Sequence, residues 1–354
     1  MIFGFPRNFA ADQTELELPD VAAARRLAGE RLQALDQALA ERHAQLAPLL
    51  STQADADVLL ERCADAIRIA YVRLARRHGS LSDDFHAYHN EEHILDILRD
   101  RISRLIAIHG VLALGLRDWC VLHLFAGCHD LRQREESMYE AGVGSNERAS
   151  IEETFRLLDH TGFSRDADAD IYQALELTIA GSTFDARPPP GGAAFNAAEL
   201  VQSGGALAAK LARKLDKHRP GWRDDAGLLH AHDLALIAAD LDTANVAEPF
   251  ARFATSAENL CLEREMLCRR DLETPESAQP VLGFLTDGQD RFFFDLHRFN
   301  SELGRQAFGA AKDANASRLK SLSLGLRARI AMHGRPESGR QVLKAYCETV
   351  AGLV

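Results

Sequence analysis

Apolar residues recur along this chain at intervals of three and four, and nowhere in sustained alternation. Val21 to Leu50 carries Leu27, Leu32, Leu35, Leu39, Leu46 and Leu49 among Ala, Arg, Glu and Gln, which predicts an amphipathic helix. It reads either as an N-terminal packing helix or as the interface of a homodimer. Ala54 to His78 predicts a second helix ended by Gly79, with Ser82, Asp83 and Asp84 as cap candidates for the next one. Ile94, Ile97, Leu98, Ile102, Leu105 and Ile106 place a helix over Glu91 to His109, closed by Gly110. Leu112 to Ala126 is apolar nearly all round, as a central helix of a bundle would be.

Asn146 to Leu158, Asp168 to Ala180, Leu228 to Leu241 and Phe250 to Arg270 continue the helical period. Val281 to Phe308 predicts a long aromatic-bearing helix after a loop over Asp271 to Pro280. Ala316 to Met332 and Gln341 to Leu353 close the chain, on either side of the breaker His333-Gly334-Arg335-Pro336. Asp185 to Gly205, with three prolines and several glycines, reads as a surface loop, a candidate lid or insertion. The expected fold class is therefore all-α, a helical bundle.

Composition narrows the function more than the fold. With 46% hydrophobic and 26% charged residues, 354 in all, the chain is long enough for one large core or two domains. Its net charge of -11, with no basic stripe, argues against a nucleic-acid backbone as partner. No run approaches membrane-spanning length, and Met1 to Ala10 lacks an export pattern. The six cysteines show neither zinc-type pairs nor a disulfide framework, which suits reduced thiols in a cytoplasm.

The candidate chemistry lies in Tyr88-His89-Asn90-Glu91-Glu92-His93 and in Cys128-His129-Asp130. His89 and His93, four apart on a helix, share one face. His129-Asp130 ends the apolar run from Trp119 to Leu131, where a carboxylate needs compensation, and a divalent cation is the usual one. Imidazole and carboxylate donors suit zinc, manganese or iron, with magnesium favoured where oxygen dominates. A further acidic group, Asp233, Asp240 and Asp242, lies on a later helix. His123, His160 and His297 read as structural or solvated, Cys128 as a buried thiol, and Arg132 and Arg134 as a solvated turn.

The order His, His-Asp and a distant Asp resembles the HD superfamily of metal-dependent phosphohydrolases. Tyr88-His89-Asn90-x-x-His93, Ala239-Asp240-Leu241 and Leu282-Gly283-Phe284 are further similar to segments of the class I cyclic-nucleotide phosphodiesterases. This resemblance implies a catalytic domain over 70–310, preceded by a helical segment 1–69 and followed by helices 311–354. It also implies two divalent ions, the first held by His93, His129, Asp130 and Asp240, with Asp233 and Asp242 as alternatives for the last place and Asp130 bridging to the second. His89 would be the general acid, Phe284 the residue stacking on a nucleobase, and Tyr88, Asn146 and Glu147 neighbours of the substrate. The implied activity is hydrolysis of a 3′,5′-cyclic nucleotide. Val281 stands where the phosphodiesterases carry a purine-reading glutamine. The alternatives are a nucleotide phosphomonoesterase, an alarmone hydrolase, or a nucleotide-binding HD module without turnover.

Overall fold

Short polar side chains start the helices that frame the candidate chemistry. Asp20 accepts the Ala23 N–H at 2.7 Å and opens Val21–Ala28. Asn90 accepts the Glu92 N–H at 2.9 Å and opens Glu91–Leu95. Each satisfies a donor that the first helical turn leaves without a partner. The computed structural model describes residues 2–3, 8–51, 55–133, 135, 139–140, 143–183, 207–334 and 336–353, and over these the protein is all-α. One two-residue strand pair, Tyr139 with Gly144 and Glu140 with Val143, runs antiparallel just before the helix Ser145–His160. No helix among the described residues is long and apolar enough to cross a membrane.

The chain divides into two units. The first comprises Met1–Thr183, Ala206–Asp242 and Asn300–Ala307; the second comprises Phe184–Gly205, Thr243–Phe299 and Phe308–Val354. In the first, Ala169–Ser182 packs along Ala226–Asp242, and Leu116–Cys128 lies against both Ala56–His78 and Ala169–Ser182. Trp119, Leu122, Phe125, Leu175, Ile179, Ala235 and Leu241 are fully or almost fully buried there. Each large apolar side chain contributes about 1.5–3 kcal/mol by leaving water. In the second, Phe250–Leu267, Pro275–Gly283 and Gly339–Ala351 pack together, and the Tyr346 hydroxyl donates to the Ala254 carbonyl at 3.0 Å. The domain boundaries expected at 69 and 310 do not follow this division. They fall inside the helices Ala56–His78 and Glu302–His333.

Local chemistry alters several expected elements. Val21 to Leu50 is two helices, Val21–Ala28 and Gln33–Leu50, because Gly29 adopts a positive φ of 53° between them. The leucines Leu35, Leu46 and Leu49 of Gln33–Leu50 are buried, and this helix packs on the chain's own Ala56–His78. Asp271 to Pro280 is not wholly a loop: Pro275 starts the helix Pro275–Gly283, where its missing N–H costs nothing. The long helix expected over Val281 to Phe308 starts earlier and stops sooner: Pro275–Gly283 continues without a break through π-helical turns at Phe284–Gly288 and Phe292–Leu296, and a new helix starts at Glu302. Residues 184–206, with the expected lid over Asp185 to Gly205, lie outside the described residues, as does Arg134.

Candidate metal centre

Three helix ends meet in the first unit. Leu116–Cys128 delivers His129 as its C-cap and Asp130 just beyond. Glu91–Leu95 presents His93 in its first turn, and Ala226–Asp242 ends on Asp242. The His93 Nε2 lies 3.1 Å from Asp242 Oδ1, and the His129 Nε2 lies 3.4 Å from the same oxygen. Asp130 Oδ2 is 3.1 Å from His129 Nε2 and 3.9 Å from His93 Nε2. Ligands about 2.0–2.1 Å from one tetrahedral ion stand roughly 3.3 Å apart, so this spacing suits a shared cation.

Proton bookkeeping makes the same point. The His129 Nδ1 faces the Phe125 carbonyl at 3.1 Å, and a carbonyl only accepts, so Nδ1 carries the proton. In the neutral ring Nε2 then holds a lone pair, aimed at two carboxylates. Both His129 Nε2 and Asp130 Oδ2 are buried without a hydrogen-bond partner. Only a cation, whether a proton or a metal ion, reconciles these groups. In its absence burial opposes charge on His129, yet Asp130 and Asp242 outweigh burial and lift its pKa well above the usual value. Burial likewise opposes ionisation of Asp242, but His129 and His93 hold its carboxyl far below the normal range. For His93 burial wins and lowers the pKa, leaving the neutral ring that a metal requires.

Asp240, expected as the fourth ligand, is not part of this group. It is fully buried and accepts from the Asn300 N–H (2.6 Å), Asn300 Nδ2 (3.2 Å), the Ser301 N–H (2.8 Å) and the Ser301 hydroxyl (2.6 Å). Ser301 in turn accepts the Gly304 N–H at 2.9 Å, so Asp240 anchors the start of the helix Glu302–His333. Gly304 is required there, because a Cβ would come within 2.2 Å of Asp240 Oδ2. Burial pushes the Asp240 carboxyl up to about 6 against these four donors. Asp242 stands in its place beside the histidines. Asp233 is largely exposed, next to His232.

The neighbours separate into site residues and scaffold. Tyr88 packs its ring 4.8 Å from that of His93 and 4.9 Å from that of His89, forming one wall. His89 is half-buried, its ring 6.3 Å from His93; burial opposes ionisation of Asp130, but His129 first and His89 after it lower the Asp130 pKa. Glu147, near Asp130, His129 and His89, is pushed up to about 7, chiefly by the protein packed around it. Asn146 spends its side-chain oxygen on the Glu135 N–H at 3.0 Å. Phe284, expected to stack on a base, is buried in the second unit with the Arg264 guanidinium 5.5 Å from its ring centre.

Sequence reading missed three positioning residues. Gln133 donates to Asp130 Oδ1 at 2.7 Å, which turns Oδ2 toward the histidines. Arg101 donates to the Leu241 carbonyl at 3.0 Å and to that of Asp242, fixing the helix end that presents Asp242. Arg77 donates to the Leu131 carbonyl at 2.9 Å while paired with buried Glu153 at 2.9 Å, so it braces the turn after Asp130. A glutamine three residues after an HD pair was the one legible signal. Arg132 is no solvated turn, since it pairs with Glu135 and approaches Glu15 and Glu153. His123 and His297 are buried, pushed down to about 3 by that burial, and Cys128 is pushed up to about 12. No protein-family model and no curated protein matches this chain.

Proposed function

We propose that this protein is a metal-dependent phosphohydrolase of the HD type, acting on a phosphoester of a nucleotide. One observation carries the reading: the lone-pair nitrogen of His129 and an orphaned oxygen of Asp130 face each other at 3.1 Å in a buried cluster completed by His93 and Asp242. These four residues would hold a divalent ion. When bound, such an ion polarises a phosphoryl oxygen and lowers the pKa of water toward neutrality. The described donors gather around one position, and a second ion rests on the family resemblance alone.

The chain's own groups supply the rest. Gln133 orients Asp130, Arg101 holds the backbone of Asp242, and Tyr88 shields His93 from solvent on one side. His89, half-buried beside the cluster, donates a proton to the leaving oxygen. With Phe284 buried under Arg264, base stacking lends no support to a cyclic nucleotide over other nucleotides.

The test is hydrolysis by the full chain loaded with zinc, manganese, iron or magnesium. Substrates are 3′,5′-cyclic nucleotides, nucleoside monophosphates and guanosine polyphosphates. Turnover should depend on metal and vanish in Asp242→Ala. His89→Ala should keep its metal while turnover falls about 10²–10⁴-fold. A metal-loaded protein inert on all three classes would sink the enzyme reading.

A further inference from the structure

A second group of metal-type donors lies in the first unit, built by a different stretch of chain. His78 is the last residue of Ala56–His78, and His86 follows across a short loop. The two rings sit 4.2 Å apart, centre to centre, tilted by 37°. Asp84 Oδ2 is 3.3 Å from His78 Nδ1 and 3.5 Å from His86 Nε2, and the three donor atoms lie within 4.8 Å of one another. His86 is 0% exposed and His78 5%, whereas the Asp84 side chain is 40% exposed.

We infer that His78, Asp84 and His86 form a second metal site, for a divalent transition ion of the zinc or ferrous type. The loop is shaped to present these donors. The His86 N–H donates to the His78 carbonyl at 2.8 Å and closes it, while the Ser82 N–H donates to the Gly79 carbonyl at 3.0 Å. The Ser82 hydroxyl donates to the Arg77 carbonyl at 2.6 Å and accepts the Asp84 N–H at 3.0 Å. One Asp84 oxygen is thereby set beside a nitrogen of each ring.

A simple ion pair fits the geometry less well. Charge-assisted hydrogen bonds run at about 2.7–2.9 Å, shorter than both contacts, whereas donors on one tetrahedral ion stand roughly 3.3 Å apart. The C-terminal end of a 23-residue helix adds a partial negative charge on the same side. Two imidazoles select zinc, iron or nickel over magnesium or calcium, and the half-exposed Asp84 leaves the site open to solvent.

The site has a structural use independent of the proposed hydrolysis. The His86 carbonyl accepts from Asn90 Nδ2 at 2.7 Å, and Asn90 caps the helix that carries His93. An ion there would pin the loop leading into Tyr88, His89 and His93.

The test is elemental analysis of untagged full-length chain after zinc loading and buffer exchange. Asp84→Ala, which changes a half-exposed side chain and spares the fold, should bind about one zinc per chain fewer than wild type. Asp130→Ala/Asp242→Ala should still bind about one zinc, lost when Asp84→Ala is added. Equal zinc in Asp84→Ala and wild type overturns the site, as does a folded Asp130→Ala/Asp242→Ala chain without zinc. Wild type with a single zinc that only Asp84→Ala removes would instead defeat the candidate centre and leave this site standing.

Discussion

Asp240→Ala removes a buried carboxylate that accepts four hydrogen bonds, two of them from the backbone N–H groups of Asn300 and Ser301. Stranding two buried N–H groups costs about 1–3 kcal/mol each, so roughly 2–6 kcal/mol together. Against this, burial has moved the carboxyl from 3.8 up to about 6. At about 1.36 kcal/mol per unit, its removal returns about 3 kcal/mol of charge burial at neutral pH. The void left by the carboxyl adds about 1 kcal/mol. The balance is a loss of about 2 kcal/mol, to be read from urea unfolding of the metal-free chain. Asp240→Asn should do no better, because its NH₂ would face donors. Metal content, measured on the folded protein, should stay at the wild-type level in both, while Asp242→Ala should lose the ion. Asp240→Ala that sheds its metal at unchanged stability, or Asp242→Ala that retains it, would refute the assignment.

Two further outcomes rest on the positioning groups. Arg101→Met leaves the Leu241 and Asp242 carbonyls without their donor, and zinc affinity by chelator competition should weaken about 10–100-fold; an unchanged affinity would show that Asp242 needs no such brace. Asp12 is opposed by burial, yet Arg77 outweighs it and holds the carboxyl down at about 2. Its stabilising effect is full above about pH 4 and is lost as pH falls toward 2. The group is half-exposed, so screening cuts the contribution to about 1 kcal/mol. Asp12→Asn should therefore cost about that much at pH 6 and about half as much at pH 3 by urea unfolding, and an equal cost at both would count against the pairing.

Helical periodicity located most of the helices because their apolar stripes are local facts. It failed where a distant residue or a single backbone angle decides. Gly29, with a positive φ, splits a leucine stripe that runs on unbroken in the sequence. Pro275 and Pro280 read as loop residues, yet Pro275 sits at a helix start where its ring is tolerated. The break before Glu302 has no breaker residue of its own. It is held by Asp240, sixty residues earlier in the chain, which claims the N–H groups of Asn300 and Ser301.

The same limit explains why Asp240 rather than Asp242 was expected in the cluster. The two are two positions apart near the end of one helix, and about 100° of rotation per residue sets them on nearly opposite faces. On a half-exposed helix the apolar pattern would reveal which face points inward. This helix end is buried all round, with Ala238, Ala239, Asp240 and Leu241 each at 1% exposure or less, so the pattern ranks neither aspartate. A motif spelled Ala239-Asp240-Leu241 favours the first by its letters. What separates them is the partner each face meets. Asp240 meets backbone donors at a helix start, which satisfy a carboxylate fully and leave nothing for an ion. Asp242 meets His93 and a His129 whose Nδ1 holds the single proton of the neutral ring against a carbonyl, so that Nε2 and the carboxylate need a cation between them.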